Sequence, residues 1–191
     1  EGGISFSGIV EADELLMNYS EKGRKFKNKE EYRKAKKKKH PKVAVLVVTD
    51  REGNLLFKQV GEKKVKNEQL REELKNRLSE NNLICVKPKK EFRKGVKGLQ
   101  SKKVIVNKRQ IKRGIYSVKI VENKISDFKT WLSRFHGVAT KYLQSYLMWF
   151  VIMNKYLKEL IDSDIGRLLN LSSHDRWAWD KYREIVSQKY E

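Results

Sequence analysis

The side chains of this sequence that could do chemistry are a few carboxylates set among a large excess of cations. Asp13 and Glu14 form an acidic pair near the end of a first apolar segment, Asp50 closes a second, and Glu122 opens a helical stretch that carries Lys129. Converging carboxylates are what a hard divalent cation needs, because Mg²⁺ takes oxygen ligands. Each acid also has an ordinary reading. Asp13 is a strand-end acid, Glu122 a helix-start acid favoured by the macrodipole, and Lys129 a solvated helix residue. Asp50 is followed at once by Gly53-Asn54, so it reads as a hairpin residue. His40 and His136 have no partner at metal-ligand spacing and read as surface or cap residues. The single cysteine, Cys85, lies inside the apolar run Leu83–Val86. It allows neither an internal disulfide nor a cysteine-based zinc knuckle, and fits a buried core thiol in a cytosolic protein.

The cations point to a partner. With 44 Lys and Arg against 24 Asp and Glu, the net charge is +20, which attracts polyanions and makes nucleic acid the leading partner. Charge by itself does not separate DNA from RNA. Twelve of the 44 fall between Lys22 and Lys42, where Phe26 and Tyr32 are the only large apolar side chains. Such a run cannot enter a core, so it is a solvated helix or loop, and its density suggests phosphate contact. Composition otherwise allows a folded domain. Four Trp, eight Tyr and seven Phe offset a charged fraction of 36% and argue against wholesale disorder. The most apolar stretch, Tyr142 to Met153, is interrupted by Gln144 and Ser145 and is too short to span a bilayer. Glu1 opens no signal-peptide pattern and no initiating Met precedes it, which suggests a piece of a longer polypeptide.

These residues must be positioned by a mixture of strands and helices. Ile4 to Leu16 reads as a first strand and Lys42 to Asp50 as the clearest one, with Leu55 to Val60 returning antiparallel to it. A helix is predicted over Asn67 to Ser79, with Asn67 as N-cap and Leu70, Leu74 and Leu78 on one stripe. Leu83 to Val86 is a short buried strand stopped by Pro88. A basic, glycine-punctuated connection then leads to a strand at Lys103 to Asn107. From Glu122 the periodicity is helical, with Ile125, Phe128, Leu132 and Phe135 facing a core and Gly137 ending the helix. A second helix is expected from Thr140 to Leu157, its aromatics Tyr142, Tyr146, Trp149 and Phe150 packing in the core. A last helix is expected at about Asp175 to Gln188, holding Trp177, Trp179 and Tyr182. This order predicts an α/β fold, a mixed sheet of about five strands with flanking helices. The ribonuclease H-like fold has that order, as other mixed α/β sheets could. The expected division is a core over 1–155 with a basic insert at 20–42, and a C-terminal helical extension over 156–191.

Three segments narrow the choice: Ser7-Gly8-Ile9-Val10-Glu11-Ala12-Asp13-Glu14, the hairpin Val47 to Asn54, and the long idiosyncratic stretch from Trp131 to Phe150. Together they resemble the DDE-type transposases of a bacterial insertion-sequence family related to the eukaryotic Merlin elements. The resemblance implies DNA cleavage and strand transfer on a ribonuclease H-like sheet, with two Mg²⁺ or Mn²⁺ ions roughly 3.5–4 Å apart. It also implies that Asp13 is the first catalytic carboxylate. The third position, Glu, Asn or His by subgroup and followed seven residues later by Lys, falls on Glu122 and Lys129. Seven residues is close to two helical turns, so those two share a face. The second Asp is missing. Lys87 stands at its position, with Pro88 where Gly is usual, and a protonated Lys repels a metal ion. Glu91, the nearest acid beyond, could substitute only through a rearranged turn. The expected state is therefore a disabled site, with Lys87 in the vacated metal position pairing with Asp13 and Glu122. DNA would be gripped by its backbone through Arg24, Lys25, Arg33, Lys36, Lys37, Lys38 and Lys39, with little sequence reading. The family's usual N-terminal zinc-binding, DNA-reading region does not show in this sequence. Two rival readings are a non-catalytic, transposase-derived nucleic-acid-binding or regulatory protein and a basic RNA-associated assembly protein. No membrane partner is expected, a homodimer is left open, and the expected place is the bacterial cytoplasm, at the nucleoid.

Overall fold

A computed structural model describes residues 4–37, 40–106, 112–113 and 115–162. The chain divides into two compact units, Glu1–Val151 and Ile152–Glu191. In the first unit, a strand with three acidic residues meets a wholly buried one. β1 (Ile9–Met17) pairs antiparallel with β2 (Val43–Asp50), every residue of which is buried, and β2 pairs antiparallel with β3 (Leu55–Glu62). On its other edge β1 pairs in parallel with β4 (Leu83–Val86), and β4 with β5 (Lys102–Ile105). The sheet order is thus β3-β2-β1-β4-β5. A two-stranded ribbon, β6 (Lys112–Arg113) and β7 (Tyr116–Ser117), forms a second sheet. A mixed five-stranded sheet flanked by helices is the fold that the order of elements predicts.

Helices cover both faces. Val10 and Ala12 of β1 pack with Leu70 and Leu74 of α2 (Asn67–Lys75) and Phe92 and Val96 of α3 (Lys90–Lys97). The opposite face packs Leu15, Val45, Val47 and Phe57 against Val121 and Phe128 of α4 (Lys119–Ser133) and Leu147 and Phe150 of α5 (Leu143–Asp162). The basic insert contains α1 (Lys29–Lys37). Among the described residues no helix is long and apolar enough to cross a membrane.

Several boundaries differ from the sequence expectation. The first strand begins at Ile9 rather than Ile4, because Gly8 turns the chain at φ 54° and the backbone of Phe6 bonds to Arg77 instead of a strand neighbour. Asp13 therefore sits mid-strand. The N-cap of α2 is Lys66, not Asn67, its backbone N–H donating to Gln69 Oε1 at 2.9 Å. The helix ends at Lys75, although Leu78 still reaches the core. The strand expected at Lys103 to Asn107 is Lys102–Ile105. The helix from Glu122 starts one turn earlier, at Lys119, and closes at Ser133, with His136 and Gly137 at positive φ beyond it. A 3-10 turn, Thr140–Tyr142, precedes α5. Of the aromatics expected in the core, Phe150 is buried and Tyr146 partly so, while Tyr142 and Trp149 are exposed. The helix expected at 175–188, with Trp177, Trp179 and Tyr182, lies outside the described residues.

The largest departure is α3, which occupies the segment expected to be an irregular connection. Gly95 and Gly98 read as breakers, yet Gly95 is there for packing. A Cβ at Gly95 would come within 2.5 Å of Leu70 Cδ2 and 3.1 Å of the Asn67 carbonyl, so α2 and α3 approach closely only because it is absent. Leu70 is fully buried and has little room to yield. Gly95→Ala is expected to lower stability by about 1–3 kcal/mol through overpacking, read as a shift in the urea midpoint. A helix-propensity gain of up to about 1 kcal/mol works against that loss, so a raised midpoint would mean that Leu70 repacks freely.

Candidate functional site

The parallel pairing of β1 and β4 builds the site. Ala12 is the register partner of Val86, the last residue of β4, so Asp13 and Lys87 are the next neighbours beyond that strand's carboxyl end. Ligands in α/β sheets collect in this kind of crevice. Alternation along β1 sends Val10 and Ala12 to the α2–α3 side, and Glu11 and Leu15 to the α4 side. Asp13 falls on the same side as Glu11.

Glu11 fixes the third component. It is completely buried, and its carboxylate accepts hydrogen bonds from Ser117 Oγ at 2.8 Å and from the backbone N–H groups of Ile120 and Val121 at 2.8 and 3.1 Å. A helix leaves its first N–H groups unpaired and carries partial positive charge there, so a buried carboxylate is a strong anchor. This clamps the first turn of α4 to β1 two residues from Asp13, and Glu122 belongs to that turn.

Lys87, Asp13 and Glu122 meet. Lys87 Nζ lies 2.6 Å from Asp13 Oδ2 and 2.6 Å from Glu122 Oε1. A second ammonium shares the pocket: Lys89 Nζ lies 2.8 Å from Asp13 Oδ1 and 3.0 Å from Glu14 Oε1, and sits over the Phe92 ring at 5.6 Å. Glu14 turns its other oxygen to the Val65 N–H, at 3.1 Å. Both oxygens of the almost fully buried Asp13 thus face an ammonium, and Oδ1 also accepts from the Glu14 N–H at 2.8 Å.

Burial pushes the Asp13 carboxyl up, but hydrogen bonds from Lys87 and Lys89 overcome it and hold its pKa below the ordinary 3.8. Burial likewise works against the charged form of Lys87, and the two carboxylates more than offset it, raising its pKa above 10.5. The depressed carboxyl contributes stability above its unfolded pKa and loses it as pH falls through the lower folded value. The raised ammonium contributes below its unfolded pKa and loses it as pH rises through the higher folded value. Both groups are therefore charged at neutral pH.

This donor set does not suit a divalent cation. Asp13 has no oxygen free of an ammonium, and among the described residues no group of three or more His, Cys, Asp or Glu is placed to hold a metal. What the pocket can do as it stands is hold two cationic side chains against three carboxylates.

The other expected site residues lie elsewhere. Lys129 is two turns along α4 from Glu122, exposed and without an ion pair among the described residues. Glu91 is bound to Lys64 at 2.9 Å and takes no part in the pocket. Asp50 accepts from the N–H groups of Ser7, Glu52 and Asn54 and from the Asn54 amide, as a hairpin residue does. In the insert, Arg24 is paired with Glu21 and Glu31, while Lys25, Arg33 and Lys37 are exposed. Lys36 lies in α1. Lys38 and Lys39 fall outside the described residues. Lys22 Nζ donates to the carbonyls of Phe135, His136 and Gly137, closing the end that follows α4.

Sequence reading missed the parts played by Glu11 and Lys89. A glutamate in a largely apolar strand, in phase with Asp13, signals a buried polar partnership. Nothing comparable marks Lys89, one of many lysines.

The family model described as the ISXO2-like transposase domain matches residues 5–153. No curated protein matches the chain.

Proposed function

The chain belongs to the ISXO2-like transposase domain family of DDE transposases, and on that premise we propose that it is a DNA-binding transposase core whose metal-holding centre has been replaced by salt bridges. In this reading residues 1–155 are the core, with the basic insert at 20–42, and 156–191 a C-terminal extension. Kinship with the Merlin elements and the loss of the second aspartate at Lys87 belong to the same proposal, as does a place in the cytoplasm among DNA.

The observation that carries it is the Lys87 ammonium at 2.6 Å from both Asp13 and Glu122. Two-metal phosphoryl transfer needs carboxylate oxygens open to cations, and here those oxygens are engaged by fixed ammonium groups, Lys89 among them. A net charge of +20 still draws the protein to polyanions, so binding outlasts catalysis. The protein acts by occupying DNA rather than by cutting it.

A nicking assay in Mg²⁺ and Mn²⁺, run beside salt-dependent gel shifts on duplex DNA, tests this. Duplex binding that weakens steeply with salt, without metal-dependent cleavage, is the expected result. Metal-dependent cleavage that Asp13→Ala abolishes would overturn it and restore the catalytic reading.

A further inference from the structure

The helix that sequence reading missed presents one face made wholly of cations. On α3 the residues Lys90, Arg93, Lys94 and Lys97 are exposed, at positions i, i+3, i+4 and i+7 of one stripe. Phe92, Gly95 and Val96 occupy the buried side, against α2 and the sheet. Among the described residues none of the four stripe cations lies within 4 Å of a carboxylate; Glu91 of the same helix is paired with Lys64 at 2.9 Å and acts on Lys90 and Lys94 only at longer range. Lys103 of the edge strand β5 donates to the Lys97 carbonyl at 3.3 Å and so extends the ridge.

Folding does not account for this stripe. Like charges three and four residues apart on a helix repel by a few tenths of a kcal/mol per pair, and here four such pairs stand on an eight-residue helix. Lys94 and Lys97 are favoured in the last turn, but Lys90 and Arg93 lie toward the positive end of the macrodipole, where cations are disfavoured. The basic insert is different, because part of its charge is neutralised internally: Arg24 by Glu21 and Glu31, Lys34 by Glu30. The charge of the α3 stripe is one that a bound anion would discharge.

We propose that Lys90, Arg93, Lys94 and Lys97, extended by Lys103, form a ridge that docks the sugar-phosphate backbone of duplex DNA and leads it to the salt-bridged pocket. The proposal rests on the DNA-binding reading and deepens it by naming the surface. Seven residues of helix span about 10 Å, over which one DNA strand presents about three phosphates. The ridge is continuous with the pocket, since Lys89, the N-cap of α3, holds Asp13 and Glu14. Lysine and arginine on phosphates position a duplex without reading its sequence.

The test compares the full chain with two variants by fluorescence anisotropy on a short labelled duplex over a range of NaCl. One variant carries Lys90→Gln, Arg93→Gln, Lys94→Gln and Lys97→Gln; the other carries Lys25→Gln, Arg33→Gln and Lys37→Gln in the insert. The α3 variant should melt at or above the wild-type temperature, because repulsion is relieved. Its log–log salt slope should shrink by roughly 3, at about 0.9 for each phosphate that is no longer neutralised. An α3 variant that keeps its slope within one unit, while the insert variant loses its own, overturns the ridge and leaves the DNA-binding reading intact. Wild-type protein that fails to bind duplex DNA, or prefers RNA, overturns both.

Discussion

Lys87→Asp is expected to make this protein respond to divalent metal, raising its melting temperature by about 5–10 °C in saturating Mn²⁺, whereas the wild type shifts by less than about 1 °C. The substitution changes the local charge by two units and removes the ammonium that holds Asp13 Oδ2 and Glu122 Oε1. Lys89 stays on the other oxygen of Asp13, so Oδ2 is released without unmaking the rest of the pocket. Three carboxylates then converge, which is costly without a cation and favourable with one. The variant should melt below the wild type in EDTA. A ligand that binds only the folded state at about a hundredfold its Kd adds about 2.7 kcal/mol, and a domain of this size gains roughly 2–4 °C per kcal/mol. Lys87→Ala separates the two effects, since it releases Oδ2 but supplies no ligand and should show little metal response. Differential scanning of the three proteins in EDTA and in Mn²⁺ is the measurement. A wild type that is stabilised as strongly as Lys87→Asp would mean that the pocket already takes the ion. An unresponsive Lys87→Asp would mean that the carboxylates do not converge as the lysine does.

Much of this fold was legible because its strongest signals are local. β2 reads as a strand from seven β-branched, apolar or small residues in a row, Val43 to Thr49, and its hairpin from the turn chemistry of Asp50 to Asn54. The register that brings Lys87 to Asp13 was less local, resting on where Val86 ends β4. The family's motif spacing supplied that expectation; the ammonium contacts are a property of the fold. α3 escaped because its apolar side is only Phe92 and Val96, with Gly95 between them and lysines around them. A glycine that permits close helix packing looks, in sequence, like one that breaks a helix. Lys89 escaped for a related reason: when charge is abundant, identity carries little information, and only the turn through Pro88 shows which lysine bends inward.

Glu11 is the polar residue whose loss should most disturb the site, because it links β1 to the first turn of α4. Glu11→Ala is expected to reduce stability by roughly 3 kcal/mol. Truncation strips partners from the Ile120 and Val121 N–H groups and the Ser117 hydroxyl, and each unsatisfied buried donor costs about 1–3 kcal/mol, while water reaching the helix end returns part of that. Val121 is fully buried, so its N–H is the least able to recruit water. Glu11→Gln keeps an amide oxygen but loses the charge that faces the positive end of α4, so about half the loss should remain. Thermal melts should then rank wild type, Glu11→Gln and Glu11→Ala in that order. The site adds a readout that a merely local defect would not move: combined with Lys87→Asp, Glu11→Gln should blunt the metal response, since Glu122 converges only while the first turn of α4 stays docked. If Glu11→Ala melts within about 1 kcal/mol of the wild type, the helix is held by Val121 and Phe128 instead, and Glu122 owes its place to packing rather than to the buried carboxylate.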